Sequence, residues 1–244
     1  MRLSSIKNAG YAMLAVLFFI CSSAAADGDF SITDFETKAE LTVRYDKAFQ
    51  YTYGADALLF IELNNAISIY NGLSYNLNNT YTEYTASLEI GINLGIIAPR
   101  IELLNYFSFN ILYLFDSIPE YNVDIHSVIP YFSLNLSRFG VSFGPQMRWN
   151  NYFKEFTRYE TIYNYMIRIN LIKHNKINVD FAWGNFDYFY AGSYGEDYIR
   201  FVGTYIFNDK LRLSCTIDLY QAGRQGGTAS LFGFSFKSGV IIKW

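Results

Sequence analysis

Seven basic side chains, Arg44, Arg148, Arg158, Arg168, Arg200, Arg212 and Lys237, lie on the polar face of segments in which apolar and polar residues alternate. Asp56, Glu62, Glu83, Glu89 and Glu102 occupy the same face of other such segments. Rows of charge of this kind attract, orient or repel hydrated charged solutes when they line a passage. By segment, the bases belong to strands one, seven, eight, ten, eleven and twelve, and the acids to strands two, four and five. A closed sheet would set the two groups on opposite arcs, with a field across its interior. The competing reading is that the charges pair and fill a closed interior, as Glu160, Asp180 and Asp218 among the bases suggest. Tyr70, Tyr106, Tyr131 and Tyr220 share that face, either as a stacking path for a solute ring or as bulk filling.

Other chemistry finds less support. A hydrolase needs a nucleophile and a base within hydrogen-bond reach. The two histidines are His174, in an expected turn, and His126, beside Ser127 but outside the His-x-Ser-Asn-Gly pattern of outer-membrane phospholipases. Cys215 is the only cysteine after the leader, so no intramolecular disulfide can form there. No spacing of His and Cys suits a metal, and no glycine-rich phosphate cradle opens a helix, so neither metal nor cofactor is expected. Tyr188, Tyr190, Tyr194 and Tyr198 around Gly192 and Gly195 suggest a third role, a surface loop that binds a partner.

The elements that must position these residues begin after a leader. Arg2 and Lys7, an apolar core from Tyr11 to Ile20, and a small-residue end with Ala24 and Ala26 make the layout of a secretory signal peptide. Cleavage after Ala26 divides the chain into residues 1–26 and 27–244. Removing Arg2 and Lys7 from the 19 bases leaves 17 against 22 acids, a balance that argues against nucleic acid as a partner.

With 22 Tyr, 22 Phe and only 4 Pro, the rest reads as one all-β domain. Ala39, Leu41, Val43 and Tyr45 alternate with Glu40, Thr42 and Arg44 in the first strand, and the pattern recurs through twelve segments, with ten as the alternative count. Connections after odd-numbered strands look longer and richer in Gly and Tyr than those after even-numbered ones. Several segments run roughly 11 to 14 residues, suited to a tilted membrane strand of about 9–11 rather than to the 5–6 usual in soluble sheets. Aromatic residues gather near strand ends, as in the girdles of membrane barrels.

At the C-terminus, Phe232, Phe234, Phe236, Val240, Ile242 and Trp244 alternate up to a terminal aromatic residue. This resembles the assembly signal of bacterial outer-membrane barrels, departing from it at Ser238. The resemblance implies a closed antiparallel up-and-down transmembrane barrel in the outer membrane, delivered by the barrel-assembly machinery. The expected function is a pore for small hydrophilic, possibly charged, solutes, and the runner-up is a non-conducting structural or adhesin barrel. Partners are then outer-membrane lipid and small solutes; nothing in the sequence decides the number of subunits.

Overall fold

A computed structural model describes residues 31–46, 50–152, 156–185, 197–222 and 230–244. Residues 1–30, with the expected leader and its Ala24 and Ala26, lie outside the described residues, as do the tyrosine-rich stretch at 186–196 and the side chain of Phe232. Twelve strands follow one another: β1 (Ile32–Asp46), β2 (Gln50–Leu63), β3 (Ile67–Asn78), β4 (Thr82–Asn93), β5 (Phe107–Ile118), β6 (Val123–Asn135), β7 (Phe139–Tyr152), β8 (Phe156–Lys173), β9 (Ile177–Gly184), β10 (Asp197–Ile206), β11 (Leu211–Ala222) and β12 (Ser230–Lys243). Each pairs antiparallel with its neighbours in sequence, and β1 closes the barrel on β12. The count is twelve rather than ten.

Closure satisfies the backbone of the last strand, which would otherwise be an edge in hydrocarbon. The seam runs from Glu36 opposite Lys243 to Asp46 opposite Gly233. Trp244 fastens its end: the backbone N–H donates to Phe35 O at 3.0 Å and the indole Nε1 to Thr37 Oγ1 at 3.1 Å. Phe234, Phe236, Val240, Ile242 and Trp244 all face outward and are exposed. An exterior made of such residues is costly in water and favourable against lipid, and neighbouring strands add ring pairs such as Phe109–Phe132 and Phe181–Phe201.

Turn chemistry explains much of the order. Asn64 and Asn65 both adopt left-handed φ, 52° and 53°, which asparagine tolerates better than most residues. Asn208 Oδ1 accepts from the N–H groups of Lys210 and Leu211 at 2.9 and 2.8 Å, holding the β10–β11 turn. Pro130 brings no N–H to the ladder, and the β6–β7 pairing is interrupted between Val128 and Phe132. Gly144 lies opposite, where a Cβ would run into the Pro130 carbonyl and Tyr131, so the strands close up there only because that position is glycine.

One expectation is corrected. The longest connection after an even-numbered strand is Leu94–Tyr106, containing short 3₁₀ turns at Leu94–Ile96 and Glu102–Tyr106, while most connections after odd-numbered strands are short. The polar residues Asn150–Asn151 and Thr157–Arg158 are paired with each other in the β7–β8 ladder. Strand pairing thus continues beyond the apolar band.

Candidate functional site

Because side-chain direction alternates along each strand, the barrel has an interior set by parity. Arg44, Arg148, Arg158, Arg168, Arg200, Arg212 and Lys237 all lie on the inward face, as do Asp56, Glu62, Glu83 and Glu89. Glu102 does not. It sits exposed in the second 3₁₀ turn of the β4–β5 connection, off the barrel wall, because β5 starts only at Phe107. Tyr106 belongs to the same turn and is likewise exposed.

The bases do not form a free arc. Arg200 donates Nε and Nη2 to the two carboxylate oxygens of the fully buried Asp218 at 2.5 and 3.0 Å, the fork geometry that makes arginine–carboxylate pairs strong. Ser235 donates to the same carboxylate at 3.0 Å. Lys237 lies 3.5 Å from Asp56, which also accepts from Ser74 at 2.6 Å and Thr42 at 3.0 Å. Arg212 pairs with Glu36 at 3.2 Å, and Arg148 and Arg158 share Glu160 at 3.8 and 2.9 Å. At least five of the seven bases therefore stand against a carboxylate, and Arg44 also acts electrostatically on Glu83. Arg44 lies over the Tyr220 ring at 4.8 Å, and Arg168 reaches Asn135 Oδ1 at 3.5 Å. The expected field across the lumen is largely neutralised, because Glu36, Glu160 and Asp218 sit among the bases on the same arc, while Lys237–Asp56 joins the two arcs.

The wall built from β5, β6, β7 and β8 is different. Leu112, Leu114, Ile129 and Tyr131 form a buried cluster with Met166 against it, all of them inward-facing. Beside them Gln146 Nε2 donates to Ser127 Oγ at 2.9 Å and Asn164 Nδ2 to Gln146 Oε1 at 3.0 Å, a neutral chain across three strands. Asp116 is fully buried in this wall with neither oxygen in hydrogen-bonding geometry, next to the similarly placed Thr85 hydroxyl at its partner position. These inward leucines and isoleucines went unassigned in the sequence reading. The signal was present: Ile111-Leu112-Tyr113-Leu114-Phe115 is a continuous apolar run, the mark of a strand covered on both faces.

Two polar spaces lie inside. One of about 30 Å³ is lined by Arg44, Asp56, Asn76, Glu83, Tyr220 and Lys237 among others. The other, of about 270 Å³, lies between Tyr70, Glu89, Asn110, Tyr131, Ser142 and Arg168. The histidine–serine pair is taken apart by parity: Ser127 is inward and fully buried, whereas His126 is outward, stacked on Trp149 at 5.5 Å with Nδ1 2.8 Å from the Tyr113 hydroxyl. His174 sits in the β8–β9 turn. Among the described residues no group of His, Cys, Asp and Glu could hold a metal ion.

A closed, twelve-stranded antiparallel meander with an apolar exterior and a polar, charged interior defines an outer-membrane β-barrel. Solved structures agree on the fold. The NanC porin superposes with a TM-score of 0.54 at 13% identity, over 84% of this chain and 100% of that one. The KdgM porin, solved in complex with disordered oligogalacturonate, gives 0.54 at 7% identity over 86% and 99%. The COG4313 outer membrane channel from Pseudomonas putida F1 gives 0.50 at 8% identity over 88% and 96%. No protein-family model matches the chain, and no curated protein sequence does.

Proposed function

We propose that this barrel is a narrow outer-membrane channel for small hydrophilic solutes, with both termini on the periplasmic side. The observation that carries the reading is the interior itself: apart from the apolar patch around Leu112, Leu114 and Ile129, inward positions hold mostly Ser, Thr, Asn, Glu, Asp, Arg and Lys, while the outward positions are predominantly apolar. A barrel that served only as a scaffold could fill its interior with apolar side chains. Asp116 and Thr85, buried side by side but outside good hydrogen-bonding geometry, suit a wetted lumen, where water supplies further partners. Twelve strands enclose a bore between that of side-chain-filled eight-stranded barrels and that of sixteen-stranded porins. The fold shared with the NanC and KdgM porins supports the same class.

The paired charges fit weak selectivity by charge and stronger selectivity by size. Arg168 is the exposed exception, at the barrel end that carries the termini and the tight turns. Entry into proteoliposomes tests the proposal: glycerol and similar small polyols enter faster than into protein-free vesicles, and oligosaccharides do not. Equal swelling with and without the barrel would refute it.

One observation favours the second reading, a closed structural barrel. At mid-depth Glu89, Leu112, Leu114, Ser127, Ser214 and Ser235 are all at most 3% exposed, which is tight for an open passage. Folded protein that leaves vesicles impermeable would support that reading.

A further inference from the structure

The larger interior space opens at the end that carries the chain termini, and its walls have a consistent chemistry. Its mouth is marked by the exposed Arg168 and Asn135, and its floor by Glu89, Asn110 and Tyr131, each at most 5% exposed. The floor is held in place. Tyr131 donates its hydroxyl to Glu89 Oε2 at 2.6 Å, so this carboxylate is already engaged by a neutral donor. Asn110 Nδ2 donates to Ser108 Oγ at 3.0 Å, and the Ser133 and Ser142 hydroxyls lie 2.7 Å apart. Gly91 makes the floor possible: a Cβ there would collide with Asn110 Oδ1 and Ser68 Oγ.

Hydroxyl and amide groups from four serines and two asparagines can each donate and accept, and two tyrosine rings offer flat faces. That combination matches a ring-shaped molecule with hydroxyls on its rim and C–H groups on its faces. The volume of about 270 Å³ lies just below the ~300 Å³ at which pockets for drug-sized ligands begin, the size class of a single sugar ring. Charge argues against an anion. Glu36, Glu62 and Glu89 all act electrostatically on Tyr70, against the single cation Arg168. Arg212 answers only Glu36.

We propose that this cup is a binding site for an uncharged, polyhydroxylated solute of one sugar ring. The site deepens the channel reading, as a resting place on the path, and it does not need the path to be open. Saturation-transfer NMR on the barrel refolded in detergent tests it, with glucose as the probe, glycerol as a size control and glucuronate as a charge control.

The expected result is saturable glucose binding in the millimolar range, weaker for glycerol, and at least about threefold weaker for glucuronate. Asn110→Leu, which fills the floor, abolishes the glucose signal. Lys210→Gln, in the β10–β11 turn away from the cup, keeps it and shows that the barrel tolerates substitution. Absence of saturable glucose binding overturns the proposal, as does glucuronate binding more tightly than glucose with loss of both in Arg168→Gln, which would make the cup an anion site. Conductance is measured separately. A barrel that binds glucose without conducting keeps the site and loses the channel, and one that conducts without binding loses only the site.

Discussion

The two halves of the barrel interior are held together by different physics. On the side of β1, β2, β11 and β12, carboxylates and bases interlock: Asp218 with Arg200 and Ser235, Asp56 with Lys237, Thr42 and Ser74, Glu40 with Lys38 at 2.7 Å and Ser214 at 3.0 Å. On the side of β5 to β8, Leu112, Leu114, Ile129 and Met166 pack beside the amide chain of Gln146 and Asn164, with the Glu160 pairs to Arg148 and Arg158 further along β7 and β8. The charged half is specific but fragile, because removing one partner leaves a buried charge. The apolar half tolerates loss of any one group in proportion to the space it vacates. A barrel with both has one rigid polar wall and one that sets the bore by bulk.

Substitutions should separate the halves. Asp218→Ala, which strands Arg200, is expected to have the largest effect, destabilising by about 3–5 kcal/mol as read from urea unfolding in micelles. A loss under 1 kcal/mol would mean that the network contributes little. Leu112→Ala in the opposite wall should cost about 2–4 kcal/mol and also raise single-channel conductance, because the bore widens there; an unchanged conductance would place the constriction elsewhere. Asp116→Asn removes a buried carboxylate that lies outside good hydrogen-bonding geometry and is repelled by Glu83, and should be neutral or stabilising by up to about 2 kcal/mol. Clear destabilisation would show that the charge is held after all.

Smaller effects come from the rims. Glu120 accepts the Thr82 N–H at 2.9 Å, and that bond holds its carboxyl below the ordinary carboxylate range. A depressed folded value means that the contribution is present above the unfolded pKa and is lost as pH falls through the folded one. Protection of the Thr82 amide, measured relative to its intrinsic exchange rate at each pH, should therefore fall on acidification in the parent protein, and should be low and independent of pH in Glu120→Gln. The same protection in both would dissociate the bond from the carboxylate.

The strand pattern was legible because the outward rows, such as Ala39, Leu41 and Val43, are predominantly apolar, with polar breaks such as Ser238 isolated, and a slip of one residue would expose them. The inward charges followed from the same parity. Their pairing did not, since Arg212–Glu36 and Lys237–Asp56 join strands that lie two apart across the curved wall, a relation that only closure and shear create. Glu102 was misplaced because Ile101 and Leu103, in phase with Phe107 and Phe109, prolong the alternation into what is a 3₁₀ turn. The cup was not legible at all: Ser133, Ser142 and Asn110 are ordinary polar residues until three strands bring them around one space. Loop lengths misled for the opposite reason, because polar hairpins such as Tyr152 opposite Phe156 stay paired beyond the apolar band.

Planar-bilayer recording of the refolded barrel tests the channel most directly. The account predicts discrete, steady steps of small conductance with weak ion selectivity, shifted toward cations by Arg168→Glu and enlarged by Leu112→Ala. A membrane that stays silent while the same preparation shows the heat-modifiable gel migration of a folded barrel would contradict it.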